Sequence, residues 1–188
     1  MLYSDSLARA ELLKGSAAVP VVIRPIAWTD VGRFIALRHE IEHEAAHLGP
    51  DKGERKAKEA DWYTLLRMIM HRKRMFTFVA TEGSTMVGFI SIILAKFKKF
   101  SGNAYLTLSV RSSHRGRGIG TQLLHAAEEF GKARNIRRLE LEVFAKNENA
   151  VRLYERVGYE IEGRRRKAVD DGGALDDVLL MAKFILPE

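Results

Sequence analysis

No cysteine occurs among the 188 residues. Disulfides, thiolate metal sites and a cysteine nucleophile are therefore excluded. A reducing cytosol is the natural home of such a chain, and a cytoplasmic location is expected. Long apolar runs are missing too. The longest useful one, Phe89 to Ala95, is far too short to span a bilayer. The first twenty residues carry Asp5, Arg9, Glu11 and Lys14 in place of an uninterrupted signal-peptide core, so no membrane partner is expected. Aromatic residues make up only 9%. Among the basic runs only Phe97 and Phe100 interleave with lysine, which speaks against nucleic acid as a direct ligand.

What is present in excess is positive charge. Lys and Arg number 31 against 24 Asp and Glu, giving a formal charge of +7. That balance favours an anionic partner, such as nucleic acid, a membrane surface or a phosphorylated small molecule. Hydrophobic residues at 46% and charged residues at 29% are ordinary for a globular chain long enough to bury a core.

Periodicity divides the chain into an extension, residues 1–20, and one domain, 21–188. Val21 to Ile23 is a short strand stopped by Pro25. Val31, Phe34, Leu37, Ile41, Ala45 and Leu48 recur at helical spacing up to Gly49-Pro50. A charged loop over 51–59 and a second helix around Trp62, Leu65, Leu66 and Ile69 follow. Met75–Thr81 and Met86–Phe97 predict an antiparallel hairpin turning at Glu82-Gly83-Ser84, and Tyr105–Val110 a third strand beside it. Leu123, Ala127, Phe130 and Ala133 mark a helix. Ile136–Phe144 alternates as a strand, and Ala150, Leu153, Tyr154 and Val157 share one helical stripe. A final hairpin pairs Tyr159–Val169 with Leu175–Ile185 around Asp170 to Gly173. The order implies a mixed α/β sheet.

The most informative stretch is Val110-Arg-Ser-Ser-His-Arg-Gly-Arg-Gly-Ile-Gly-Thr121, between a strand and a helix. Gly116, Gly118 and Gly120 free the backbone for close approach, and amides at a helix start form an anion cradle. Arg115 and Arg117 add charge, and His114 stands beside them. The dinucleotide fingerprint fails because Thr121 occupies the place of its third glycine. The P-loop fails because no Gly-Lys-Ser/Thr triplet follows.

What fits is R-x-x-G-x-G, with Arg115, Gly118 and Gly120. Here the sequence resembles the GCN5-related N-acetyltransferase (GNAT) superfamily. Asn147, Ala150, Leu153, Tyr154, Gly158 and Tyr159 resemble that family's later motif, N-x-x-A-x-x-L-Y-x-x-x-G-F/Y. The resemblance covers roughly residues 21 to 185. It implies a mostly antiparallel sheet with a splayed parallel central strand pair and helices on both faces. It also implies acetyl-CoA as cosubstrate, with the acetyl group passing to a primary amine by direct attack. The acceptor would be a small molecule, an amino acid or a protein N-terminus. By the same resemblance Leu108, Ser109 and Val110 line the pantetheine. The pyrophosphate would rest on Arg115, Gly116, Arg117, Gly118, Ile119, Gly120 and Thr121. Asn147 would contact the cofactor arm, and Tyr154 would protonate the departing thiolate. A homodimer is compatible with the family, and no metal is required.

The general base stays open among Glu142, Glu140, a water positioned by Thr107 or Ser109, and a His or Glu of the first helix. Many family members carry a glutamate on the strand before the loop, whereas Tyr105–Val110 has no carboxylate. Two other classes therefore stand beside the enzyme: a CoA-binding module of weak activity, and a basic RNA- or ribosome-associated module. His39-Glu-Ile-Glu-His43-Glu-Ala-Ala-His47 matches H-E-x-x-H twice, as in zinc peptidases. At about 100° per residue these histidines fall opposite the apolar stripe, on the polar face. A solvated His/Glu face is expected there, and no metal.

Overall fold

The computed structural model describes residues 19–44 and 74–186. The charged loop and second helix expected over 51–69, and nearly all of the extension, lie outside them. Seven strands form one sheet in the order β1-β2-β3-β4-β5-β7-β6. They are β1 (Val21–Pro25), β2 (Met75–Glu82), β3 (Thr85–Leu94), β4 (Asn103–Val110), β5 (Arg138–Phe144), β6 (Glu160–Asp171) and β7 (Ala174–Phe184). The helices among the described residues are α1 (Val31–Glu44), α2 (Ile119–Lys132) and α3 (Glu148–Arg156). Only β4 and β5 pair in parallel. This is the mixed, mostly antiparallel architecture that the sequence implies.

Neighbouring residues on a strand face opposite sides of the sheet, and the core divides accordingly. Val79 and Phe89 pack under Val31, Phe34, Leu37 and Ile41 of α1. Their neighbours Ala80 and Ile90 pack on the other side with Leu123, Leu124 and Ala127 of α2. Phe34 meets Phe89 edge-on, centroids 5.0 Å apart. The helices therefore cover both faces.

A short 3-10 turn, Trp28–Asp30, leads into α1 and buries a charge. The Asp30 carboxylate is fully buried. It accepts two hydrogen bonds from Arg24 (2.6 and 2.8 Å), one from Arg33 (2.7 Å) and one from the Ala27 N–H (2.8 Å). Hydrogen bonding to Arg24 is the largest influence and brings its pKa from 3.8 to about 2, against the opposing pull of burial. A carboxyl with a depressed folded-state pKa stabilises the fold fully above its unfolded pKa. That stability is lost as pH falls through the folded value. Asp30→Asn should therefore cost about 2 kcal/mol at neutral pH. Urea melts of the two proteins should converge as pH drops from 5 towards about 2. A gap that is independent of pH would rule out the charge as the cause.

β3 is shorter than the predicted Met86–Phe97. Its ladder with β4 closes at Leu94↔Ala104, and the Ala95 N–H then donates to the Asn103 carbonyl at 3.2 Å. Lys96-Phe97-Lys98-Lys99-Phe100 has no alternation that could bury one side, and it leaves the sheet through a 3-10 turn over Lys98–Phe100. The last hairpin turns where expected. Its register shifts between Arg165 and Val169, however, which periodicity does not show. Asp177 holds that irregularity by accepting from Arg164 Nε at 2.5 Å and from the Lys167 N–H at 2.6 Å.

Candidate active site

β4 and β5 are paired only at Asn103↔Arg138, Ala104↔Leu139 and Tyr105↔Glu140. Both strands run on, each held by its outer neighbour: β4 by β3 as far as Val110↔Gly88, and β5 by β7 as far as Phe144↔Val178. Their inner edges part beyond Tyr105 and leave backbone groups without a ladder partner. Such an edge can accept an extended ligand as an added strand. A cleft of about 890 Å³ occupies the gap, within the range usual for small-molecule sites.

The glycine loop closes one end of this cleft. Gly116 and Gly118 both have φ +75°, and no atom lies within 4 Å of a Cβ built on either. Gly118 is the N-terminal cap of α2, so the first amides of the helix and the positive end of its dipole border an open space. Gly120 serves packing: a Cβ there would come 2.8 Å from the Leu153 side chain of α3. Leu108, Val110, Arg115, Gly116, Gly118, Ile119, Gly120 and Thr121 line the cleft from one wall, and Asn147 and Tyr154 from the other.

Two residues expected in the site stand apart from its lining. Ser109 sits beside Phe89 in the β3 register. Arg117 turns to the Glu82 carboxylate at the end of β2. Glu82 also holds His114 Nε2 at 3.1 Å, and Ser113 Oγ lies 2.8 Å from His114 Nδ1. Arg117, and then His114, hold the Glu82 carboxyl below its ordinary range. This network moors the glycine loop to the hairpin of β2 and β3.

On the other wall, Asn147 Oδ1 accepts the Ala150 N–H at 3.3 Å, capping α3. Tyr154 is 7% exposed, and its ring tilts against Tyr159 at 5.9 Å. Burial, reinforced by Tyr105, raises its phenol pKa well above the ordinary value. The group is a proton donor across the neutral range and no base.

Three of the carboxylates considered as a base are engaged, and the side chains of Glu42 and Glu44 lie outside the described set. Glu142 lines the cleft but accepts both guanidinium arms of Arg165 at 2.8 and 2.9 Å. Glu140 accepts from Asn103 at 3.0 Å and from Arg138 at 2.7 Å. Glu40 of α1 pairs with Arg111 at 2.8 Å. Thr107 and Ser109 do not line the cleft.

Tyr105, Phe144, Asn149, Arg152, Arg156 and Val178 also line the cleft, and sequence patterns assigned none of them to it. Tyr105 is the one at the point where the strands part. It stands at the last paired position, and burial and the Glu142 charge raise its pKa. Its signal was alternation, which puts Tyr105 on the sheet face opposite Ala104 and Leu106.

The acetyltransferase (GNAT) family model matches residues 37–159. This chain belongs to the GNAT acetyltransferase family. An N-acetyltransferase of Methanocaldococcus jannaschii, MJ1207, is 32% identical over 142 residues, covering 73% of this chain and 60% of that protein. A GNAT-family acetyltransferase from Streptococcus pneumoniae superposes with a TM-score of 0.80 at 24% identity, covering 88% of this chain and 99% of that one. The yncA protein of Salmonella typhimurium, whose structure was solved with acetyl-CoA, superposes at 0.74 with 16% identity over 89% of this chain and 95% of its own. The chain spans 48–63% of the length of the first curated relatives it matches. These superpositions establish the GNAT fold.

Among the described residues, no three His, Cys, Asp or Glu side chains stand together as metal ligands. The overlapping H-E-x-x-H pattern is not decided by this, because the His43 and His47 side chains lie outside the described set. Among the same residues no helix is long and apolar enough to cross a membrane.

Proposed function

We propose that this GNAT protein transfers the acetyl group of acetyl-CoA to a primary amine by direct attack in a ternary complex. The observation that carries the proposal is the broken β4–β5 ladder, opening into a cleft that ends at an uncrowded glycine turn and the start of α2. The fit to the cosubstrate is good. The parted strand edges suit an extended amide-bearing arm, and the Gly116–Thr121 backbone suits a pyrophosphate. Arg115 lies at the same mouth, its Nε donating to the Val110 carbonyl at 3.1 Å.

Acetyl-CoA would supply an activated thioester, and the rest of the chemistry belongs to the chain. A β4 amide, that of Val110, would donate to the thioester oxygen as charge builds there. The amine nitrogen forms its bond to the acetyl carbon as the carbon–sulfur bond breaks. Tyr154 gives its phenolic proton to the departing sulfur, and the amine loses one proton to water or to a neighbouring base. Tyr154 packs with the core on the α2 side, whereas Glu140 and Glu142 alternate with the buried Leu139, Leu141 and Val143 and so face the α1 side. The proposed donor and the β5 carboxylates thus stand on opposite faces of the sheet.

The pairing of Glu142 with Arg165 favours a second reading, a CoA-binding module of weak turnover. Calorimetry with acetyl-CoA, repeated with CoA lacking the 3′-phosphate, tests binding. Thiol release over a panel of amines then separates the two readings. Micromolar binding with amine-dependent thiol release is expected. Binding without release leaves the module, and no binding removes both.

A further inference from the structure

We infer that the end of the sheet opposite the cleft is a docking surface for an anionic lipid bilayer. β3 ends there at Leu94 and β4 begins at Asn103, so the connecting loop lies at the far end of β4 from Val110 and the glycine turn. The loop presents Phe97 and Phe100, 65% and 53% exposed. Arg138 registers with both Asn103 and Phe184, which brings the end of β7 to the same place. Phe184 is 59% exposed. Three phenylalanine rings therefore meet water at one end of the molecule, a concentration of exposed apolar surface that marks an interaction site.

The loop that carries two of these rings is rich in lysine. Lys96, Lys98 and Lys99 have no acidic partner among the described residues. The Arg137 guanidinium packs against Gly102 at the base of the loop. Carboxylates reach this end too: Glu140 and Glu162 are both tied to Arg138, and the exposed Glu160 registers with Ala182, two residues before Phe184. The phosphates of acetyl-CoA would bind at the opposite end, so they do not account for these cations.

A bilayer fits this surface better than RNA does. Lys96 Nζ lies 5.7 Å from the centroid of the Phe97 ring, and the Arg138 guanidinium lies 5.4 Å from that of Phe184. A single-strand site needs a positively charged groove that follows the backbone, and these rings stand on a loop and a strand end instead. At a bilayer the pairing of cation and ring is favourable. Rings enter the boundary between headgroups and acyl chains, while ammonium and guanidinium groups stay at phosphate level. A surface-lying tip needs no spanning or signal run, so the absence of such runs from the sequence does not bear on it.

Sedimentation of the full chain with phosphatidylcholine vesicles, with and without phosphatidylserine, tests the inference. Binding to the anionic vesicles should be roughly a hundredfold tighter than to neutral ones and should fall with added salt. Phe97→Ser with Phe100→Ser should weaken it by roughly tenfold at unchanged melting temperature. Lys96→Glu, Lys98→Glu and Lys99→Glu together should abolish the preference for phosphatidylserine. The inference is overturned by any one of three results: no sedimentation with anionic vesicles, equal binding by the phenylalanine variant, or tighter binding to single-stranded RNA that this variant loses. The catalytic proposal plays no part in it, and either can fail alone.

Discussion

Gly118→Val is expected to weaken acetyl-CoA binding by at least about a hundredfold while the protein stays folded. Two effects act together. The backbone at φ +75° suits glycine, and a β-branched side chain there is strained by roughly 1–3 kcal/mol. The turn would relax away from the geometry that aims the α2 amides. Any side chain that kept the turn would project into the space that the pyrophosphate needs, since no protein atom lies within 4 Å of that Cβ. The same emptiness spares the fold a clash at the Cβ. Calorimetry and a thermal melt of one sample separate the two effects, and a dissociation constant within about threefold of wild type would show that the turn holds no phosphate. Gly120→Val differs: its Cβ would press on Leu153, so it should lower stability as well.

Tyr154→Phe should lower kcat by roughly a hundredfold and leave acetyl-CoA affinity within about twofold of wild type. The ring packs with Tyr159 and the core, and phenylalanine keeps that packing. Only the proton is lost. Because burial raises this phenol's pKa above its ordinary value, the loss of activity on its deprotonation should lie above pH ~10 in the wild-type profile. Unchanged turnover in the variant would remove Tyr154 from the acid role. A fall in affinity matching the fall in rate would make it a binding residue.

The proposed acid and the candidate bases of this site differ in how far one dimension of information reaches. Tyr154 and the glycine loop are local patterns. The loop needs glycines at set intervals because left-handed backbone and close approach are properties of single residues. The tyrosine comes from the apolar stripe of a nine-residue helix, Glu148–Arg156. The base depends on which carboxylate is free, and that depends on partners distant in the chain. Arg165 stands 23 residues beyond Glu142, and the bulge that Asp177 holds beside Arg164 has no period to read. The Arg117–Glu82 pair joins residues 35 apart. It turns away from the cleft a side chain that adjacency had put in it.

Periodicity by itself determined most of the architecture. The apolar stripe of α1, the β2–β3 hairpin, the alternation of β5 and the terminal hairpin all follow from which side chains water rejects, and burial repeats every 2 or 3.6 residues. The sequence by itself also placed the glycine turn at the start of α2, where an anion is proposed to bind. Tertiary structure alone decided where the β4–β5 ladder breaks, because each strand is held by its outer neighbour and nothing in Tyr105–Val110 or Ile136–Phe144 records the loss of the inner one. It decided too at which residue β3 stops. β4 offers its last pairing to Leu94, and beyond it an apolar ring has no strand to lie against. Hydrogen-bond partners across a sheet are long-range choices, and they are made only when the whole chain has packed.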